Sequence, residues 1–163
     1  MKKLALTLLA SLTLYVVNAQ IEQSTIFVGT TSNLSLLDVR TGPNSSTTYF
    51  NISVQGGYFL VDNLMIGLDL SATSSHGTSV QVGAFTRYYP QGKFFLGAGF
   101  STTSFSTGNN NLNQMGLEGG YVAFITKNIS VEPALVYTKG FGDYSNFGNF
   151  GLRIGFGLYL NRD

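Results

Sequence analysis

The sequence predicts an all-β fold, an eight-stranded antiparallel up-and-down barrel that spans a membrane with its strands. Three observations predict it. The stretch 146–160 alternates from Phe150 without a slip: Phe150, Leu152, Ile154, Phe156, Leu158 and Leu160 point one way, and Asn149, Gly151, Arg153, Gly155, Gly157 and Tyr159 the other. A period of two means a strand with two chemically different faces. A wide apolar face backed by a narrow, small and polar one suits lipid outside and packed side chains inside. Second, only 10% of the 163 residues are charged, against about 25% in ordinary soluble domains. An exterior in hydrocarbon does not need more. Third, the connections between strand-like segments alternate between short and long, as the two ends of such a barrel require.

The chain begins with Lys2 and Lys3, a mostly apolar run from Leu4 to Val17, and Val17-Asn18-Ala19. This reads as a signal peptide over residues 1–19 that directs export. The run is shorter than the about 20 residues of a spanning helix. Cleavage would leave Gln20 first and change the formal charge from +1 to −1. Nothing later in the sequence is apolar for long enough to be a spanning helix, so a membrane location requires a closed barrel, in which no sheet edge meets lipid. Residues 20–163 are the expected barrel domain.

The strand-like segments are 24–34, 47–60, 64–72, 79–89, 93–103, 113–125, 129–139 and 146–160. Short turns are expected at 61–63, 90–92 and 126–128, and longer loops at 35–46, 73–78, 104–112 and 140–145. An even strand count puts both termini at the short-turn end. Tyr58, Phe59, Tyr88, Tyr89, Phe94, Phe95, Phe124 and Tyr159 fall near the short turns, and Tyr49, Phe50, Phe100, Tyr137, Phe141, Phe147 and Phe150 toward the other end. Rings gathered at two levels are expected of girdles at the two interfaces of a bilayer. Pro133 lies inside the seventh segment, where it cannot donate to the ladder. A bulge there would shift the alternation. The sixth segment contains Gly119-Gly120 and loses clean alternation around Val122.

Five strand charges, Asp69, Arg87, Glu118, Glu132 and Arg153, sit opposite the apolar stripes. An eight-stranded barrel is just wide enough for side chains to fill, so these charges must find partners when taken out of water. A luminal polar and ion-pair network follows, with Gln55, Asn51 and Tyr89 as further partners. The expected pairs are Arg153 with Glu132 or Glu118, and Arg87 with Asp69. The same charges could line an ion path. Catalysis is not expected: no nucleophile or metal ligand accompanies the carboxylates. His76, the single histidine, reads as a loop residue. There is no cysteine, hence no disulfide and no thiolate metal site. A near-neutral charge excludes a nucleic-acid partner.

Arg153-x-Gly155-x-x-Leu158-x-Leu160 is similar to the C-terminal β-signal by which the insertion machinery recognises outer-membrane barrels. That signal usually ends in Phe at the last residue; here Leu160 is followed by three more. With the eight segments, residues 20–163 resemble the small eight-stranded outer-membrane barrels of the OmpA/OmpX type, a porin-like family. The resemblance implies an integral outer-membrane location, lipid and the insertion machinery as partners, no cofactor and no enzymatic activity. It also implies extracellular or envelope contacts through loops 35–46, 73–78, 104–112 and 140–145. No peptidoglycan-binding module is expected after the barrel. The implied role is structural or interactive in the cell envelope, around a side-chain-plugged lumen. The alternative is a small porin-like channel or a solute-binding barrel. A soluble lipocalin-type barrel would instead put charges outside, where Ser53, Gln55, Gly67, Gly83, Gly97 and Gly99 are too small and too uncharged for a wet exterior.

Overall fold

The computed structural model describes residues 21–34, 51–74, 78–105, 111–142, 145 and 148–161. The expected signal peptide, the loop 35–46 and His76 lie outside the described residues. Nine strand segments follow one another: β1 Ile26–Leu34, β2 Asn51–Val61, β3 Leu64–Ser74, β4 Thr78–Tyr88, β5 Phe94–Phe105, β6 Asn111–Tyr121, β7 Ala123–Phe124, β8 Ile129–Gly140 and β9 Gly148–Leu160. β6 and β7 are two pieces of one stave, so the sheet has eight staves. Each pairs antiparallel with the next, and β1 closes the cylinder against β9 through Ile26↔Leu160 to Leu34↔Leu152. The fold is a closed eight-stranded antiparallel up-and-down barrel.

β3, β4, β5 and β6 run further toward the loops than the sequence suggests. Thr73, Ser74 and Thr78, expected in the loop 73–78, belong to strands. Ser104, Phe105, Asn111 and Leu112 likewise extend β5 and β6. Ser/Thr/Asn composition marks a turn only when the ladder has nothing better to offer the backbone.

Pro133 carries no bulge. Its register with β9 is regular at Pro133↔Ile154. On the other side the pairs Gly120↔Ala134 and Ala123↔Val131 keep one register across the break. What fails is the ladder between them. Ile125 N–H donates to the Ile129 carbonyl at 2.8 Å, and steps of two residues along an antiparallel pair make Tyr121↔Pro133 another hydrogen-bonding position. Proline has no N–H to give there. Facing is preserved throughout: Ser130, Glu132 and Ala134 are buried, while Ile129, Pro133, Leu135 and Tyr137 are exposed. Among the described residues a register shift lies elsewhere, between Phe59 and Val61 at the base of β2.

The exterior is an apolar belt to which every stave contributes: Val28, Val54, Leu68, Val82, Leu96, Leu117, Leu135 and Phe156 are all exposed, Leu68 by 65%. Inside, at the short-turn end, Phe27, Phe59, Met65, Tyr89, Phe95, Val122 and Tyr159 form a cluster at most 1% exposed. Ring centroids lie 5.2 Å apart for Phe27–Tyr159, 5.4 Å for Phe59–Tyr89 and 5.7 Å for Tyr89–Phe95. The rings near the short turns are therefore divided by parity. Tyr58, Tyr88, Phe94 and Tyr121 face outward, but Phe59, Tyr89, Phe95 and Tyr159 belong to the interior rather than to a girdle.

The segment before β1 finishes this end. Ile21 is fully buried in the aromatic cluster, held by Asn63. Its N–H donates to Asn63 Oδ1, and its carbonyl accepts from Asn63 N–H, both at 2.9 Å. The Asn63 carbonyl also accepts from Tyr89 N–H at 2.8 Å. Asn63 adopts φ 64°, a left-handed conformation that asparagine tolerates better than most residues. One turn residue thus ties the N-terminal segment to two of the short turns.

Candidate functional site

The candidate site is the set of charged side chains inside the cylinder. Parity decides its membership. Gln55, Arg87, Glu118, Glu132 and Arg153 all occupy inward positions of their strands. Arg87, on β4, is the hub and is only 1% exposed. Its Nε donates to Glu118 Oε1 on β6 at 2.5 Å, its Nη1 to Glu132 Oε2 on β8 at 3.2 Å, and its Nη2 to Gln55 Oε1 on β2 at 2.9 Å. One planar fork thus ties together four staves, β2, β4, β6 and β8. Arginine suits this position because its donors are rigidly splayed and its charge cannot be shed.

Both carboxylates are shared further. Arg153 Nη2 donates to Glu118 Oε2. Glu132 Oε1 accepts from Tyr159 Oη at 2.7 Å and from Ser130 Oγ at 2.8 Å. Below the hub lie three rings, Phe95, Phe85 and Phe27, with centroids 4.8, 4.9 and 5.5 Å from Arg87 Cζ. Their π faces add cation–π attraction, which is stronger at a buried guanidinium than at an exposed one. The guanidinium is thus compensated on two sides by carboxylates and on a third by aromatic faces. A buried charge needs this kind of enclosure to be tolerated.

Glycines make room for it. Gly97 is the register neighbour of both Arg87 and Glu118, and a Cβ there would lie 2.6 Å from Glu118 Oε1. At Gly157 a Cβ would lie 2.7 Å from Glu132 Oε1 and from Phe27 Cε2. Gly83 similarly leaves space for Asp69, its partner on β3. The inward glycines are sockets for neighbouring long side chains.

Asp69 stands apart. It faces inward and is half-buried, but among the described residues it forms no ion pair, and Arg87 pairs with Glu118 and Glu132 instead. The expected Arg87–Asp69 pair is therefore replaced. Of the two acids expected for Arg153, the partner is Glu118. Toward the long-loop end the described lining is polar and uncharged. Thr31 Oγ1 and Ser53 Oγ share a hydrogen bond, and Gln81 Oε1 accepts from Gln114 Nε2 at 3.3 Å and from Thr103 Oγ1 at 3.4 Å. Among the described residues no group of three or more His, Cys, Asp or Glu is placed to hold a metal ion.

Sequence reasoning missed Ser130, Tyr159 and the Phe85/Phe95 platform as parts of the cluster. Their inward parity was the available signal. The four β-signal residues lie on β9, with Arg153 and Gly155 inward and Leu158 and Leu160 outward.

No family model matches the chain, and no curated protein matches it by sequence. Solved structures do match in fold. The N-terminal β-barrel domain of Pseudomonas aeruginosa OprF superposes with a TM-score of 0.67 at 13% identity, covering 85% of this chain and 98% of that one. Neisserial surface protein A gives 0.56 at 16% identity, covering 82% and 94%. A de novo designed transmembrane β-barrel also gives 0.56, at 12% identity, covering 85% and 98%. The structural neighbours are thus small outer-membrane β-barrels. A designed barrel among them underlines that architecture is what is shared.

Proposed function

We propose that this chain is an integral outer-membrane barrel with a structural and interaction role in the cell envelope, built around a side-chain-plugged lumen. The observation that carries the reading is its inside-out chemistry. Large apolar side chains are exposed all round the cylinder, while Arg87, Glu118 and Glu132 are enclosed within it. Lipid satisfies such an exterior, and a closed ladder leaves no backbone edge for lipid to meet. The short turns then face the periplasm and the long loops face outward, where they present contact surfaces to other envelope or extracellular molecules. Export by the N-terminal leader and recognition of Arg153, Gly155, Leu158 and Leu160 by the insertion machinery complete the route.

The buried aromatic cluster, with Ile21 beneath it, supports a lumen that passes no solute. The competing reading, a small porin-like channel, is favoured by one observation: among the described residues Asp69 forms no ion pair, and the lining beyond it is polar and uncharged. Single-channel recording on the chain folded into planar bilayers separates the two. Silence is expected, and steady openings would establish the channel. Recovery of the protein as a soluble monomer without detergent would overturn the membrane reading itself.

A further inference from the structure

The segment before β1, residues 21–25, crosses the short-turn mouth as a strap, and its attachment is confined to one place. Besides the Ile21–Asn63 pair, Gln23 N–H and Nε2 donate to Asp62 Oδ1 and to the Leu60 carbonyl at 2.8 and 2.9 Å. Ser24 N–H donates to the Phe59 carbonyl at 2.9 Å, Phe59 N–H to the Thr25 carbonyl at 3.0 Å, and Tyr58 Oη to Ser24 Oγ at 3.2 Å. Among the described residues, every hydrogen bond that leaves the strap ends on residues 58–63. The register shift at the base of β2 suits this attachment: Leu60 is left out of the pairing with β3, and its carbonyl receives the strap. None of these bonds belongs to the β1–β9 ladder, which begins at Ile26↔Leu160. The strap can therefore leave without opening the cylinder.

Two features work against the docked strap. Thr25 Oγ1 is buried with no hydrogen-bond partner among the described residues, and an unpaired buried hydroxyl is costly. Ser24 sits at φ 68°, a left-handed conformation that strains a residue with a Cβ. Holding the strap down are its backbone bonds to the turn and one large apolar side chain, Ile21, set into the ring cluster. Undocking would bring water to the Thr25 hydroxyl, release Ser24, and uncover Ile21 and the rings it packs against. Opposed effects of this kind, in a segment outside the ladder, allow local opening at far less cost than unfolding. We propose that the strap is a lid over the aromatic floor: it swings off the β2–β3 turn while the cylinder stays shut, and so controls the access of water to that floor from the short-turn end. The inference rests on the plugged-lumen reading above, in which the hub blocks solute whether the lid is open or shut.

The test is amide hydrogen exchange, read by NMR on the protein folded into bilayer discs. The probes are the amides of Ile21 and Asn63, which close the strap, and those of Phe27, Val28 and Gly29, which β2 and β9 hold from both sides. Ile21 and Asn63 are expected to exchange together, at least about tenfold faster than the ladder. Thr25→Val removes the unpaired hydroxyl and keeps the branched shape; it should slow both by about fivefold or more and leave the ladder rates unchanged. Ile21→Ala should speed exchange at Asn63 by about tenfold or more, with the β1–β9 ladder still protected. Transfer of magnetisation from water to the Phe59 and Tyr89 rings should fall in Thr25→Val and rise in Ile21→Ala. A variant that tightens the strap cannot be mistaken for damage to the fold. Exchange of Ile21 and Asn63 at the ladder rate would overturn the lid, as would a Thr25→Val protein in which Asn63 exchanges no more slowly. So would loss of β1–β9 protection in Ile21→Ala, because strap and cylinder would then open as one. Planar-bilayer recording on the same protein separates the two readings. Steady wild-type openings would overturn the plugged lumen and the lid's role with it, whereas a silent barrel with ladder-rate exchange at Asn63 would overturn the lid alone.

Discussion

Gly97 and Glu118 are register partners on β5 and β6, and the space Gly97 leaves is where the Glu118 carboxylate meets Arg87. A Cβ at Gly97 would stand 2.6 Å from Glu118 Oε1 and 3.0 Å from the Thr86 carbonyl oxygen. The second neighbour is backbone, so the new methyl cannot be relieved by turning a side chain. Gly97→Ala is expected to destabilise the folded barrel by about 1–3 kcal/mol. Gly56→Ala is the control, because nothing lies within 4 Å of its outward Cβ position; it should change stability by no more than about 0.5 kcal/mol. Urea unfolding of the lipid-embedded protein measures both. Equal costs would show that Gly97 is no socket.

Removing the hub should be the most damaging single change in the lumen. Arg87→Met leaves Glu118 with one partner and deprives Glu132 of its cation, at a cost of about 3–5 kcal/mol. Arg153→Met should cost less, since Glu118 keeps Arg87 and the Arg153 side chain is 13% exposed against 1% for Arg87. Equilibrium unfolding of the two variants checks the order.

Double-mutant cycles should reproduce the connectivity of the cluster. Arg153→Met with Glu118→Gln should couple by about 0.5–3 kcal/mol. Arg153→Met with Glu132→Gln, and Arg87→Met with Asp69→Asn, should couple more weakly, because neither pair shares a hydrogen bond. Stronger coupling in the last cycle than in the first would restore the pairing that charge order along the chain suggested.

The belt makes its own prediction. Leu68→Arg and Ile154→Arg put a charge on the outward face and should cost about 2–4 kcal/mol in a bilayer, depending on depth. In a water-facing barrel an exposed Leu68 would accept arginine within about 0.5 kcal/mol. Unfolding from lipid vesicles distinguishes these outcomes.

At Pro133 the expected signal is local. Pro133→Ala returns an N–H opposite the Tyr121 carbonyl, a gain of about 0.5–1.5 kcal/mol. Greater freedom of the unfolded chain removes about 0.4–1 kcal/mol of it. Global stability should barely move, but the new amide should be strongly protected from hydrogen exchange. A rapidly exchanging amide at 133 would show that the β6–β8 seam is open for a reason other than the missing donor.

Much of this was legible because a barrel strand writes its two environments at alternate positions. Phe150 to Leu160 on β9 read outward as expected, and the eight staves fell close to the expected segments. What was not legible depends on three-dimensional closure. Which acid meets Arg87 is decided by register across β5 and by the room at Gly97, and neither is visible in a list of charges. Asp69 is close to Arg87 in the chain and on the next strand, yet the guanidinium reaches across the lumen to Glu132. Level along the barrel alone suggests a girdle for the aromatic residues near the short turns; their parity is what sends Phe59, Tyr89, Phe95 and Tyr159 inside. At Pro133 a lost donor and a shifted register are equally compatible with proline in a strand; only the pairs on either side tell them apart.

The Arg87 hub also bears on how the molecule comes together in time. Its hydrogen bonds span 31, 45 and 32 residues. Gln55 and Glu132, which it holds on one guanidinium, sit five staves apart, roughly 24 Å in a flat sheet at the usual strand spacing. No hairpin, and no half-curled sheet, can make that contact. Until the first and last strands meet, Arg87 can reach Glu118 across β5 but cannot hold Gln55 and Glu132 together, so the hub stays incomplete and partly hydrated. When the cylinder shuts, Gln55 and Glu132 complete the hub on one guanidinium and the cluster is enclosed, so reopening the cylinder exposes it again. Assembly is slow for contacts of such sequence separation, but once the cylinder has closed, the same arrangement acts as a latch.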